Sequence, residues 1–210
     1  MDSGNVAADF HNCFAAEIRL PEALEEKLLC PFHYFGVADP VSLNQDCYWK
    51  NGRYDTGQLE KVHTGAHALA HQRIDAILVA IKRYEPDLGA VKGIGFCVSI
   101  AHARYMADAF NGRGIPSEAV VSGVESDLCA KLLTDLARGR LTFLFTVDKL
   151  SEGLDLPEVN TVFFLRPTQS LTVFLQQLGR GLRHAPEKDC LTVIDMVWGR
   201  PIGAIAWIPN

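Results

Sequence analysis

Several common signatures are absent from these 210 residues. There is no G-x-x-x-x-G-K-[ST] run, so the chain lacks the glycine-rich loop that cradles nucleotide phosphates. It also has no adjacent Asp-Glu pair and no Ser-Ala-Thr run. None of the six cysteines forms a C-x-x-C pair, and several lie in apolar runs. This usage predicts buried free thiols in a reducing compartment rather than a zinc or disulfide framework.

Long apolar segments are missing as well, which predicts no signal peptide, no membrane partner and a cytoplasmic protein. Hydrophobic residues make up 48% of the chain and charged residues 21%, which is typical of an ordinary globular domain with a full core. The net charge of −5 disfavours a domain that grips nucleic acid unaided, although a local basic stripe remains compatible with it.

What is present is organised around residues 141–197, whose pattern predicts strand, loop, strand, helix and strand. Apolar runs at Leu141–Val147, Thr161–Arg166 and Leu191–Val197 are continuous rather than alternating. Such runs are typical of strands that are buried on both faces of a parallel sheet. The loop Asp148–Val159 follows the first run, and ligands gather beyond strand ends of this kind in open α/β sheets.

A helix predicted over Ser170–Arg183 carries polar side chains opposite its leucine side. Gln176, Arg180 and Arg183 share that polar side at spacings of i, i+4 and i+7. Guanidinium forks match phosphate oxygens, so a phosphate site is one interpretation, and a solvated charged face is the other. Two glycines in the same helix, at 179 and 181, predict that something approaches its backbone closely.

Three segments together resemble superfamily 2 helicases of the DEAD/DEAH type. S-E-G-L-D-L-P-E-V (151–159) is similar to their motif V, particularly in the nucleotide-excision-repair branch. Q-Q-L-G-R-G-L-R (176–183) is similar to motif VI, and G-F-C-V-S-I-A-H-A-R-Y-M-A (95–107) to motif IV. The run L-L-C-P-F-H-Y-F-G-V (28–37) resembles the region between the lobes of bacterial helicases that carry a further domain of unknown function. The resemblance covers roughly residues 30–198 and implies the second RecA-like lobe of a helicase motor.

The resemblance also implies roles for individual residues. Arg180 and Arg183 would be arginine fingers that reach the γ-phosphate held by the other lobe, and Gln176 would sense the nucleotide. The predicted nucleotide-binding residues are Glu152, Gly153, Asp155 and Gly179. The predicted contacts with nucleic acid are Ser99, His102 and Lys149, although Ser99 could equally cap the helix that follows it.

We expect ATP and Mg²⁺ to bind only together with the missing first lobe, and none to be bound tightly by this chain. Nucleic acid is the expected partner, with DNA favoured over RNA, and the first RecA-like lobe is the other. Two alternatives stay open. One is a freestanding, non-catalytic lobe that binds a partner protein; the other, weaker one is an unrelated α/β nucleotide-binding enzyme, which no glycine-rich loop supports.

Upstream, Gln58–Tyr84 is predicted to be one long helix. His63, His67 and His71 follow its apolar stripe at i, i+4 and i+8. An adjacent pair could share a metal ion, but we interpret the three as helix surface and predict no metal site. Strands alternating with helices predict a doubly wound, mostly parallel α/β sheet with helices on both faces, and the helicase resemblance implies that this sheet is RecA-like. The expected division is an N-terminal helical segment at 1–29, the lobe at 30–198 and an irregular tail at 199–210.

Overall fold

The computed structural model describes residues 20–40, 48–50, 53–65, 67–85, 87–147, 157–167, 179, 181–186 and 188–197. Its strands are β1 (Phe32–Ala38), β2 (Trp49–Lys50), β3 (Arg53–Tyr54), β4 (Gly93–Phe96), β5 (Ser117–Val120), β6 (Phe143–Thr146), β7 (Thr161–Phe164) and β8 (Leu191–Val197). Six of them form one sheet in the order β1-β8-β7-β4-β6-β5, and every neighbouring pair is parallel. β2 and β3 form a small antiparallel pair.

The helices are α1 (Leu20–Glu25), α2 (Thr56–Glu60), α3 (His67–Tyr84), α4 (Ile100–Asn111) and α5 (Ser126–Ala137), with a π-helical turn at Lys61–Gly65 between α2 and α3. The core has two parts, one on each side of the sheet. Helices α3 and α4 pack over one face and α5 packs over the other. The predicted RecA-like α/β sheet is therefore confirmed, and it is parallel throughout.

Phenylalanine rings fill the middle of the α4 side of the sheet. Phe143 and Phe145 of β6 meet Phe110 of α4 edge-on, with ring centroids 5.4 and 5.0 Å apart. The neighbouring strand β4 makes room for them because it carries glycines on this face. A Cβ atom at Gly93 would lie 2.1 Å from the Phe143 ring, and one at Gly95 would lie 2.4 Å from the Phe145 ring. We call these aromatic side chains, with Phe163, the phenylalanine cluster.

Three details of the predicted helices need correction. Helical spacing places Leu69 in the apolar stripe of the long helix and Leu128 on the buried side of α5, but these side chains are 41% and 47% exposed. In the long helix the buried stripe is displaced by a fraction of a turn, so that His63, Arg73 and Ile74 face inward. In α5, Cys129 takes the inner position beside Leu128. The helix is also not one regular α-helix, because the π-helical turn interrupts it.

The expected segment boundaries at residues 29–30 and 198–199 stay a prediction. Helix α1 lies within the expected N-terminal helical segment, whereas residues 1–19 and 198–210 lie outside the described part of the chain. In the described residues no helix combines the length and the apolar character needed to cross a membrane.

Candidate functional site at the carboxyl edge of the sheet

The central strands end level with one another. Phe96 at the end of β4 pairs with Thr146 of β6 and with Phe164 of β7. At this edge the chain turns into α4 within the segment similar to motif IV, and from it the chain leaves β6 and β7 towards the segments similar to motifs V and VI. Because the strands are parallel, their carboxyl ends meet at the same edge, where open α/β sheets bind ligands.

Much of the predicted site lies outside the described residues. This applies to Gln176, Arg180, Lys149, Glu152, Gly153 and Asp155. Their predicted roles are untested by the structure. Ser99, His102, Gly179 and Arg183 are described, and they can be placed individually.

Ser99 begins α4 as its N-cap. Its backbone is extended, and its hydroxyl oxygen accepts a hydrogen bond from the backbone N–H of His102 at 3.1 Å. This is the usual way in which a serine satisfies one of the unpaired donors of a helix start. Of the two interpretations of Ser99, the cap is the one that the geometry shows, and a contact with nucleic acid stays a prediction.

His102 does not lie where a strand contact would need it. Its side chain is completely buried, its Nδ1 faces the backbone N–H of Val98 at 3.3 Å, and its Nε2 lies 3.1 Å from Nη1 of Arg73. A ring that is enclosed in this way cannot touch a phosphate at the surface. The predicted nucleic-acid contact of His102 is therefore replaced by a structural role beneath the turn into α4.

Arg73 is the centre of a buried polar cluster that the sequence did not indicate. Its Nε pairs with Oδ2 of Asp39 at 2.6 Å, and its Nη2 donates to the carbonyl oxygen of Leu165 at 2.9 Å. The Arg73 side chain is 2% exposed and the Asp39 side chain 0%. Arg73, Asp39, His63 and His102 form what we call the Arg73 cluster. It joins the chain beyond β1 to the chain beyond β7 and to the start of α4.

The two histidines of the Arg73 cluster stack on each other, with ring centroids 4.7 Å apart. His63 is 1% exposed, so the interpretation of this position as helix surface is wrong. Burial, followed by the charge of Arg73, lowers the pKa of both rings well below the ordinary value of 6.5. Both rings are therefore neutral near pH 7. Arg73 is then the only positively charged member of the Arg73 cluster.

Of the three histidines at i, i+4 and i+8, the structure describes the side chains of His63 and His71. His71 is exposed while His63 is buried, so the two do not face a common point, and the side chain of His67 is not described. Within the described ranges, no group of three or more His, Cys, Asp or Glu side chains could hold a metal ion.

The described end of the arginine-bearing segment lies against the amino end of β8. Gly179 and Gly181 both have helical backbone. A Cβ atom at Gly181 would lie 2.7 Å from Cδ1 of Leu191, whereas one at Gly179 would meet nothing within 4 Å. The predicted close approach is therefore confirmed at Gly181 by Leu191, and Gly179 has no such neighbour among the described residues. Arg183 is exposed, which leaves its side chain at the surface.

Comparison with known proteins supports this picture. Residues 87–185 match the family described as the helicase conserved C-terminal domain. Over 174 residues the chain is 27% identical to a 51.5 kDa protein of a Lactococcus phage, which covers 83% of this chain and 36% of the phage protein. Over 91 residues it is 40% identical to UvrABC system protein B of Treponema pallidum, covering 40% of this chain and 13% of that protein. The chain thus matches only about a third or less of the length of these relatives.

Solved structures share the fold. A fragment described as an HsdR subunit of a type I restriction enzyme from Vibrio vulnificus superposes with a TM-score of 0.69 at 20% identity, over 92% of this chain and 37% of that one. The ATP-dependent restriction-modification enzyme LlaBIII, bound to DNA, gives 0.62 at 16% identity, over 94% of this chain and 14% of that one. At these identities the likeness establishes the fold only.

The parallel sheet with helices on both faces defines a RecA-like lobe. Within that class, residues 87–185 match the helicase conserved C-terminal domain. The resemblance inferred from the three sequence motifs is confirmed at this level.

Proposed function

We propose that this chain is the C-terminal motor lobe of an ATP-dependent superfamily 2 helicase or translocase. In this proposal a first RecA-like lobe supplies the phosphate-binding loop and the magnesium-binding carboxylates. Arg180 and Arg183 then complete the site from this lobe, and Gln176 senses the nucleotide. The observation that carries the proposal is the match of residues 87–185 to the helicase conserved C-terminal domain, on a parallel sheet with helices on both faces.

The chemistry asked of the arginines is electrostatic. Phosphoryl transfer spreads charge over the transferred group, and a positioned guanidinium stabilises that charge by roughly 10³- to 10⁵-fold in rate in comparable enzymes. The exposure of Arg183 suits a side chain that must reach a second lobe. Glu152, Gly153, Asp155 and Gly179 would contact the nucleotide, and ATP with Mg²⁺ would bind only when both lobes are present.

Nucleic acid is the proposed substrate along which the motor moves. In this proposal Ser99 and Lys149 contact the nucleic acid from this lobe. DNA is favoured over RNA because the relatives include UvrABC system protein B and because LlaBIII was solved on DNA. The second candidate is a non-catalytic lobe that serves as a protein-interaction module.

The test joins this chain to the first lobe of a close relative and measures steady-state phosphate release with and without DNA. We expect DNA-stimulated hydrolysis that falls by about 10²-fold or more in Arg180→Ala and in Arg183→Ala, with little rescue by Lys, because an ammonium cannot copy the fork. The chain alone should stay below about 1 s⁻¹, the lower end of ordinary turnover.

Arg138→Ala is the matched control. Arg138 is an exposed arginine that follows the carboxyl end of α5 and belongs to none of the three helicase-like segments. Its loss should leave turnover unchanged. If Arg180→Ala and Arg183→Ala also leave turnover unchanged in the two-lobe protein, the motor assignment is wrong and the non-catalytic module becomes the better description.

A further inference from the structure

Lys188 connects two of the helicase-like segments directly. Its ammonium nitrogen donates to the carbonyl oxygens of Pro157 at 3.1 Å, Arg183 at 3.1 Å and Gly181 at a shorter distance. Pro157 belongs to the segment similar to motif V, whereas Gly181 and Arg183 belong to the segment similar to motif VI. Neither motif contains Lys188, which lies five residues beyond Arg183.

The residue type fits this task closely. An ammonium group has three donors and no acceptor, and here each donor has a carbonyl partner. The last carbonyls of a helix lack partners within the helix and carry the negative end of its dipole, so a cation is favoured beside them. Lys188 is only partly exposed. Water therefore competes less for the N–H donors of its ammonium group, which strengthens the three hydrogen bonds.

Other contacts hold the same chain segment to β1 without Lys188. The carbonyl oxygen of Leu182 accepts a hydrogen bond from the backbone N–H of Cys30 at 2.7 Å, and the His184 ring lies 3.0 Å from the carbonyl oxygen of Lys27. The contact between Gly181 and Leu191 adds a third attachment. Removing the Lys188 side chain should therefore leave the segment attached to the sheet and release mainly its connection to Pro157.

We propose that Lys188 is a positioning residue. It holds the arginine-bearing segment (residues 176–183) at a fixed distance from the loop Asp148–Val159, which follows β6. The proposal rests on the proposed function, because the arginines and the loop residues must reach the same nucleotide. Displacements of about 1 Å can cost about 10²-fold in rate, so a bridge between the two segments matters for chemistry more than for binding.

The experiment uses the two-lobe protein and compares Lys188→Met with wild type. We expect kcat to fall by about 10-fold or more while KM for ATP changes by less than about 2-fold, because the interaction acts on the arginines in the transition state. Lys131→Met is the matched control, since Lys131 is an exposed lysine of α5. That control should leave both kinetic constants unchanged.

A double-substitution cycle separates positioning from a purely structural effect. If Lys188 acts through Arg183, Lys188→Met should lower kcat by less than about 2-fold when Arg183 is already Ala, because residues that act as a unit are not additive. Fully multiplied effects of the two substitutions would overturn the proposal. So would an unchanged kcat in Lys188→Met while Arg183→Ala lowers it, and that result leaves the motor assignment intact.

If Arg183→Ala itself has no effect, the motor assignment and the role of Lys188 fail together. Should Lys188→Met not fold, Lys188→Gln provides the second variant, since it keeps a polar side chain at the same site but cannot supply three cationic donors. We expect it to show the same loss of kcat and the same non-additivity with Arg183→Ala. Wild-type kcat in Lys188→Gln would overturn the proposal.

Discussion

The phenylalanine cluster and the Arg73 cluster lie on the same side of the same sheet, yet different forces hold them. The phenylalanine cluster occupies the middle of the strands, where the Phe110 ring packs edge-on against Phe143 and Phe145. The Arg73 cluster lies at the carboxyl edge and consists of one buried cation, one carboxylate and two neutral rings. The first is stabilised by buried area, which many neighbours share, and the second depends on individual partners.

The comparison explains why polar contacts at the carboxyl edge constrain the positions of chain segments more narrowly than apolar packing does. Apolar packing is non-directional and tolerates volume-conserving changes. A buried guanidinium tolerates few substitutions around it. Its N–H donors have lost their hydrogen bonds to water, so they must be aligned with acceptor groups of the protein. The Arg73 cluster therefore fixes the relative positions of three chain segments at the carboxyl edge of the sheet.

The largest expected effect comes from breaking the Arg73 cluster on one side only. Arg73→Met should lower the free energy of unfolding by about 3–5 kcal/mol, because it leaves the buried carboxylate of Asp39 without its cation. Urea unfolding followed by circular dichroism measures the change. A loss below about 1 kcal/mol would show that Asp39 finds solvent when Arg73 is removed.

Two further variants sharpen the contrast between the clusters. Adding Asp39→Asn to Arg73→Met should recover part of the lost stability, since the double variant no longer buries a carboxylate that has lost its guanidinium partner. Phe145→Ala should also cost about 3–5 kcal/mol through its cavity, but no second polar substitution should recover it. If the Asp39 substitution makes Arg73→Met less stable still, the carboxylate is not the origin of the cost.

The pH dependence of stability is the second prediction, and it distinguishes the clusters because the phenylalanine cluster does not titrate. The pKa values of His63 and His102 are lowered in the fold, so below pH 6.5 the unfolded chain binds more protons than the folded one. Stability should be complete above about pH 6.5 and fall below it, by up to about 1.4 kcal/mol per pH unit for each histidine.

His63→Leu should reduce this slope by about half, whereas His71→Gln, at an exposed position of the same helix, should not change it. The pKa of Asp195 is raised by burial, which acts with the opposite sign at lower pH. His63→Leu, His71→Gln and the wild type all keep Asp195. Its contribution to the pH dependence of stability therefore cancels when their slopes are compared. Equal slopes in His63→Leu and wild type would mean that His63 is protonated in the fold.

The smallest expected effect concerns the cap at the edge of the Arg73 cluster. Ser99→Ala should cost about 1 kcal/mol of stability through the lost hydrogen bond to the His102 N–H. Glu125→Ala is the control, because Glu125 caps α5 without a side-chain hydrogen bond, and it should stay within about 0.5 kcal/mol. Equal losses at the two positions in thermal unfolding would contradict the cap assigned to Ser99.

The local sequence predicted the strands well. A strand that is buried on both faces of a parallel sheet consists of consecutive apolar residues, which can be recognised without knowing its neighbours in the fold. The run Leu191–Val197 has the observed bounds of β8, and the other predicted strands were correct to within two or three residues at their ends. Since the strands are parallel, the sequence also predicted that the loop Asp148–Val159 follows a strand at the edge where open α/β sheets bind ligands. The glycine at 181 indicated a close approach, although it did not name Leu191 as the neighbour.

Tertiary structure alone decided which polar residues lie inside. Arg73 and Asp39 are 34 residues apart, and Lys188 and Pro157 are 31 apart, so no spacing pattern connects them. Helical periodicity placed His63 and Leu69 on the wrong sides of the buried boundary, because that boundary was set by what packs against the helix. An apolar side chain is buried by any apolar neighbour, and periodicity suffices to predict it. A charged side chain is buried only where a partner is fixed in space, and only the complete fold provides that partner.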